Sequence, residues 1–220
     1  MDSKVVSKAI KEKIRPLLKS EGFTEFNDRN AWRHAEDKIY VINFQSYNKY
    51  NADVMGCTTF SFSVNLGIYL KYIPREFEIK EKNGLLYPME YECHFRASLK
   101  RGYREWFKRI NTLWYVGKNG ANLDQAINDT QQQIQKFALP WFEMFGNDND
   151  IYLLLQDKLH PQTHTWGYGA NPSPNRSLLR GYVSARLGQN ENAKEDLNSA
   201  LKSGCYDGIR DNIMGLIHKL

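Results

Sequence analysis

Between residues 3 and 20 the apolar positions Val6, Ile10, Ile14, Leu17 and Leu18 recur at helical spacing, which predicts an amphipathic helix with one buried face. Pro16 falls inside that pattern and should kink the helix or reset its start. Gly22 is placed to end it. From Asn30 onward the period changes to two. Lys38–Ser46 sets Tyr40, Ile42 and Phe44 on one side and Ile39, Val41, Asn43 and Gln45 on the other. Thr58–Tyr69 is the cleanest alternation: Phe60, Phe62, Val64, Leu66 and Ile68 interleave with Ser61, Ser63, Asn65 and Gly67. A shorter strand containing Trp32 is expected over Asn30–Glu36, and the polar stretch Tyr47–Cys57 reverses the chain between antiparallel strands. A third alternation, Tyr91–Leu99, predicts Tyr91, Cys93, Phe95, Ala97 and Leu99 inward and Glu92, His94, Arg96 and Ser98 outward. Pro74–Met89 reads as a charged surface loop, and Leu113–Val116 as one more short strand.

Helical spacing returns at Leu123–Phe145, with Asn122 at the N-cap position and Pro140 expected to kink or split the helix. Ile151–Leu159 is a further short helix. His160–Pro174 then crowds together Pro161, Gly167, Gly169, Pro172 and Pro174, which places a boundary there. Three helical pieces follow, at about 175–187, 190–203 and 206–218. The pattern predicts an α+β fold: an antiparallel meander of about four or five strands, covered on one face by helices, then a small C-terminal helical segment. The expected division is an α+β domain over 1–158, a linker over 159–174 and a helical appendage over 175–220.

Several segments resemble a bacterial family catalogued as domain of unknown function 4304. They are Ile14-Arg15-Pro16-Leu17-Leu18-Lys19 with Gly22-Phe23, Ala31-Trp32-Arg33, Val41-Ile42-Asn43-Phe44-Gln45, Phe62-Ser63-Val64-Asn65-Leu66-Gly67-Ile68, Glu92-Cys93-His94-Phe95-Arg96, and Phe137-Ala138-Leu139-Pro140-Trp141-Phe142. They occur in that family's order over residues 4–145. The resemblance implies a helix-plus-sheet fold and transfers no catalytic residues. Gly181, Gly188, Ala193, Leu197 and Ala200 are similar to the packing positions of a single tetratricopeptide-type hairpin, with Cys205 where the terminal Pro would stand. One such hairpin cannot bury its own apolar face, so it must dock on the first domain, on the following helix or on another subunit, which allows oligomerisation through these helices.

Composition narrows the classes. The 220 residues are 41% hydrophobic and 13% aromatic, enough for a packed core. The longest apolar run, Ile151–Leu155, has about five residues against the ~20 of a membrane span. The charged N-terminal stretch lacks an apolar signal core, and three scattered cysteines form no CxxC, so a reducing cytoplasm is expected. A net charge of +5 permits an acidic partner without requiring one.

No enzyme motif emerges: there is no phosphate loop, no nucleophile elbow and no zinc-helix motif. The expected catalytic, cofactor and metal assignments are therefore none. His160 and His164 have a spacing seen in paired metal ligands, but they straddle a Pro in a loop with no Cys nearby. The suggestive group is Glu92, His94, Arg96 and Ser98, which a strand would line up on one face beside Asn65, Asn43, Gln45, Ser61 and Ser63. An Arg beside an acid and a His suits recognition of a carboxylate, a phosphate or a charged protein patch. The plain alternative is an ordinary wet sheet exterior. Glu92, His94, Arg96, Asn65 and Asn43 are the candidate binding residues, and the same Glu92/His94/Arg96 face is where an enzyme of unknown reaction would work. A second candidate is the basic and aromatic run Lys100–Arg109, where Arg101, Arg104, Lys108 and Arg109 alternate with Tyr103, Trp106 and Phe107, a pattern compatible with nucleic acid. The preferred expectation is a non-catalytic, cytoplasmic, bacterial protein that binds another protein, with an immunity-type toxin inhibitor as one form. A nucleic-acid binder is the alternative.

Overall fold

The computed structural model describes residues 3–103 and 110–220. Its first helix runs as α1 (Ser3–Ala9) and α2 (Arg15–Ser20), joined by a π-type turn over Ile10–Ile14. Pro16 explains the wide turn. It has no N–H, and its ring crowds the carbonyl four residues back, so the preceding turn opens until the Arg15 N–H reaches the Ile10 carbonyl. Val6, Ile10, Ile14 and Leu18 are all buried along one face. The helix closes as its sequence predicts: the Phe23 N–H donates to the Leu18 carbonyl at 3.0 Å and the Gly22 N–H to Lys19 at 3.1 Å. Gly22 takes the φ of +82° that this closure requires.

Strands β1 (Glu25–Phe26), β2 (Asn30–His34), β3 (Lys38–Ser46), β4 (Phe62–Leu70), β7 (Phe95–Ser98) and β9 (Thr165–Trp166) lie side by side in that order, all antiparallel. A short β8 (Leu113–Trp114) pairs with the start of β4, so β7 and β8 share one edge of that strand. A separate two-stranded hairpin, β5 (Glu81–Lys82) and β6 (Leu85–Leu86), sits in the loop between β4 and β7. Between β3 and β4 the chain makes a short helix, α3 (Lys49–Val54), capped by the Asn48 side chain on the Asn51 N–H at 2.8 Å. The sheet is thus wider than four or five strands. The expected short strand at Leu113–Val116 is β8, and the extra members are the two-residue β1 and β9, too short for alternation to reveal.

The apolar face carries Tyr40, Ile42 and Phe44, then Phe62, Val64, Leu66 and Ile68, then Phe95 and Ala97, all in one buried cluster. It is covered by α1 and α2 and by α4 (Leu123–Gln133) and α5 (Leu139–Glu143), which are joined by a second π-type turn over Ile134–Ala138. Pro140 repeats the effect of Pro16, and here the Leu139 N–H reaches the Ile134 carbonyl. Asn122 stands at the N-cap position of α4, but its side chain is used elsewhere. It accepts the Gly117 N–H at 3.0 Å and donates to the Tyr115 carbonyl at 2.6 Å, pinning the 115–122 loop. Aromatic side chains carry the helix-to-sheet contact, with Phe145 4.9 Å from Phe95 and Phe142 5.5 Å from Tyr40 between ring centroids. Lys38, 3% exposed, donates to the carbonyls of Phe145 and Gly146 at 2.8 and 3.2 Å, where the chain leaves α5.

Four more helices follow: α6 (Asp148–Leu155), α7 (Pro174–Arg186), α8 (Asn190–Lys202) and α9 (Arg210–Ile217). The stretch expected as a linker supplies β9, whose Thr165 accepts the Trp141 indole N–H at 2.8 Å. Leu178, Leu179, Tyr182 and Val183 of α7 belong to the same buried cluster as the sheet. Arg176 fastens the connecting loop, donating to Asp157 at 2.6 Å and to the Gly169 carbonyl at 2.8 Å. Arg186 donates to Asp148 at 2.6 Å and to Asp37 at 2.9 Å, tying α7 to the start of α6 and to the turn before β3. No helix among the described residues is long and apolar enough to cross a membrane.

Candidate functional site

The second face of the sheet has two halves. Toward one end of the strands, Trp32, Ile39, Val41, Tyr69 and Cys93 form a small apolar cluster covered by Ile79, Leu86 and Tyr87 of the 74–92 segment. That segment is therefore a lid on the sheet as well as a surface loop. Gly67 lies beneath it because nothing larger fits: a Cβ there would stand 2.6 Å from the Cys93 sulfur.

The other half is polar, and its residues stand in register. Asn30 pairs with Asn43, Asn43 with Asn65, and Asn65 with Ser98, so one straight row crosses β2, β3, β4 and β7. Gln45 and Ser63 make a shorter row beside it. Hydrogen bonds divide the group into two runs. Asn43 donates to Asn30 Oδ1 at 2.7 Å, and Asn30 donates to Asn27 at 3.2 Å. Ser98 donates to Asn65 Oδ1 at 2.6 Å, and Asn65 donates diagonally to Gln45 Oε1 at 3.1 Å. The Tyr47 and Ser63 hydroxyls bond at 2.6 Å beside them. Asn30, Ser63 and Asn65 are buried, Asn43 is half-buried and Gln45 is exposed. The row is more sheltered than an ordinary wet exterior, and its side chains are held by one another.

The structure separates the residues expected to line up on β7. Glu92 is not on the strand: it closes the 3-10 turn Glu90–Glu92 and accepts the Met89 N–H at 2.6 Å. His94 is on the expected face but 1% exposed, so it is not presented to solvent. Its Nδ1 accepts the Leu70 N–H at 3.0 Å, which puts the ring proton on Nε2, and that atom has no partner among the described residues. Burial, with the Arg75 charge nearby, pushes the imidazole well below its ordinary pKa. Arg96 does lie on the second face, but its acid is Glu90 and not Glu92. The pair is bidentate, with Nε–Oε1 2.7 Å and Nη2–Oε2 3.3 Å, and Glu90 is 6% exposed. Ser61, expected on the platform, instead precedes β4 and accepts the Val116 N–H at 3.0 Å. Cys93 faces the lid, and burial pushes its thiol well up, away from reactivity. Asn65, Asn43 and Arg96 are thus on the face and His94 is at its covered end, its ring 5.1 Å from Tyr69, while Glu92 is off the strand. Asn30 completes the row, and its position two residues before Trp32 on a strand was the available signal.

The nucleic-acid candidates divide similarly. Arg101 is 9% exposed, its guanidinium 5.2 Å from the Tyr115 ring and 5.6 Å from Tyr103, which is a packed and not a presented cation. Arg104, Lys108 and Arg109, with Trp106 and Phe107, lie outside the described residues. His160 and His164 are both exposed, and His164 stacks on Trp166 at 5.9 Å. No group of three or more His, Cys, Asp or Glu among the described residues is placed to hold a metal ion.

These features define an α+β protein whose antiparallel sheet is packed on one face and carries a carboxamide row on the other. The chain belongs to the family described as Domain of unknown function (DUF4304), whose model matches residues 14–144. That span takes in β1 to β8 and ends inside the turn after α5, so the row lies wholly within the family's domain. No match to the chain was found among the curated proteins or among the solved structures.

Proposed function

We propose that the protein is a non-catalytic module that binds another protein through the carboxamide row of its sheet. The observation that carries this reading is the row itself, Asn30, Asn43, Asn65 and Ser98 in register on four adjacent strands. Carboxamides and hydroxyls at neutral pH donate and accept hydrogen bonds without exchanging protons, which suits recognition. Their mutual hydrogen bonds fix them before a partner arrives, so little side-chain entropy is lost on binding. The reactive residue types nearest the face, Cys93 and His94, are buried and held uncharged. In this reading the protein works in the bacterial cytoplasm, and an immunity-type role, covering the working surface of a toxin, is its specific form.

The test is affinity capture in the native host with wild-type protein and with Asn43→Ala and Gln45→Ala, singly and together. Asn43 is half-buried and Gln45 exposed, so a thermal-unfolding midpoint close to wild type is required of each variant before capture is compared. The expected result is one protein retained in stoichiometric amount by wild type and lost at least tenfold by the double variant. Equal retention by both, or recovery of nucleic acid released by high salt, would overturn the proposal.

A further inference from the structure

At the β1–β2 edge, beyond the Asn27 end of the row, the same face opens into a small cavity of about 200 Å³. Sites for small molecules usually enclose roughly 300–1,000 Å³, so this one has room for a single side chain. Its floor is Trp32, whose indole N–H donates to the Pro88 carbonyl at 2.8 Å and whose ring meets Tyr87 edge-on at 5.2 Å. Phe26 also lines it, although its ring packs toward the first helix. The Trp32 and Tyr87 rings are locked before any ligand enters.

The rim is basic. Lys80 and Lys82 lie two residues apart along the extended segment that enters the β5–β6 hairpin, which turns both toward the cavity they line. Tyr87 donates its N–H to the Lys80 carbonyl at 2.7 Å, which holds that segment in place. Neither lysine has an ion pair or side-chain hydrogen bond among the described residues. Lys8, Lys11 and Lys13 on the first helix, by contrast, are each paired with an acid. Across β1, on the first-helix side, the Arg15 guanidinium and the Lys19 amine lie 5.2 and 6.0 Å from the Phe26 ring. The acid among the lining residues is Glu25, already accepting the Tyr87 hydroxyl at 3.0 Å. The field at the mouth therefore favours an anion, while the interior favours an aromatic ring.

We infer that this cavity receives an acidic segment of the protein partner, which inserts one aromatic side chain against Trp32 and Tyr87 and lays flanking carboxylates on Lys80 and Lys82. The inference rests on the protein-binding reading above and adds the chemistry of the partner. The probe is the blocked peptide acetyl-Glu-Glu-Phe-Glu-Glu-amide, titrated into isotopically labelled full-length protein while the Trp32 indole resonance is followed. Saturable movement is expected. At least tenfold weaker binding is expected when Gln replaces every Glu, when Ala replaces the Phe, or in the Lys80→Gln/Lys82→Gln protein. Glu25→Gln should act in the opposite direction and tighten binding severalfold. A stationary Trp32 resonance, equal binding of the Gln peptide, or weaker binding by Glu25→Gln would overturn the inference. So would tighter binding of a single-stranded oligonucleotide through the same lysines, which would assign the rim to nucleic acid. With a captured partner in hand, loss of it from the Asn43/Gln45 variant but not from the lysine variant would remove this pocket and leave the protein-binding reading standing. Equal retention by both variants would remove both.

Discussion

His94 lies just before β7 with its Nδ1 accepting the Leu70 N–H, so it must stay neutral for that bond to exist. Burial, with the Arg75 charge, lowers its folded pKa well below the ordinary value. The unfolded chain takes up a proton at about pH 6.5 where the folded one does not. Stability is therefore fully present above that pH and declines as the pH falls, by at most about 1.4 kcal/mol per pH unit from this group. Urea unfolding at pH 7.5 and 5.5 should show the decline. In His94→Asn, whose carboxamide oxygen can replace Nδ1, the pH-dependent part should shrink. An unchanged pH dependence would mean that other groups cause it. At Gly67 the prediction concerns space: Gly67→Ala puts a Cβ 2.6 Å from the Cys93 sulfur and should cost about 1–3 kcal/mol, read as a lower urea midpoint with unchanged slope. Both residues show why the candidate site was only partly legible. Counting alternate residues back from Phe95 assumes a strand, but Glu90–Glu92 coil into a turn. The alternation therefore fails before His94, leaving Tyr91 65% exposed and Cys93 on the second face, while His94 keeps its side of the sheet but is buried against Tyr69. Asn43 and Asn65 sit on uninterrupted strands, and for them the alternation placed the side chains correctly.

The elements themselves were largely written in the sequence where they are long. The nine-residue β3 and β4 and the proline-interrupted helices announce themselves by period and by punctuation. Two-residue strands such as β1 and β9 have no period, and only tertiary pairing creates them. The 74–92 segment reads as charged loop because its lid function rests on a few residues, Ile79, Leu86 and Tyr87, scattered among lysines and glutamates. In the C-terminal hairpin, Gly181 shows how one position sets an interhelical distance. A Cβ there would stand 2.7 Å from Leu197 Cγ and 3.2 Å from the Leu197 backbone nitrogen. Gly181→Ala should force α7 and α8 apart and cost about 1–3 kcal/mol. Because the clash is shared between two residues, Gly181→Ala combined with Leu197→Ala should lose less stability than the sum of the single changes. A double-mutant cycle in thermal unfolding reads that coupling directly, and strict additivity would place the strain elsewhere.

At the scale of the whole molecule, one question is whether the C-terminal helices are an addition or part of the folding unit. A single buried cluster runs from Val6 of the first helix through the sheet to Leu178, Val183, Leu197 and Ile213. Arg186 binds Asp148 and Asp37 together, and Tyr72 donates to the same Asp148 at 3.2 Å, so polar ties follow the apolar continuity. Elements that share one core unfold together, because exposing either half leaves the apolar face of the other in water. Thermal unfolding followed by near-ultraviolet and far-ultraviolet circular dichroism should therefore give coincident, single transitions. Truncation after Ser173 would uncover the cluster formed by Ile151, Leu154 and Leu155, and the shortened chain should bind a hydrophobic dye and melt without a sharp midpoint. A truncated protein that kept a sharp transition within a few degrees of the full chain would make the helices an independent appendage. The family's domain ends near Met144, yet the interior it encloses is closed by residues that follow. The carboxamide row lies on the opposite face from those helices, so they can complete the core without obstructing it.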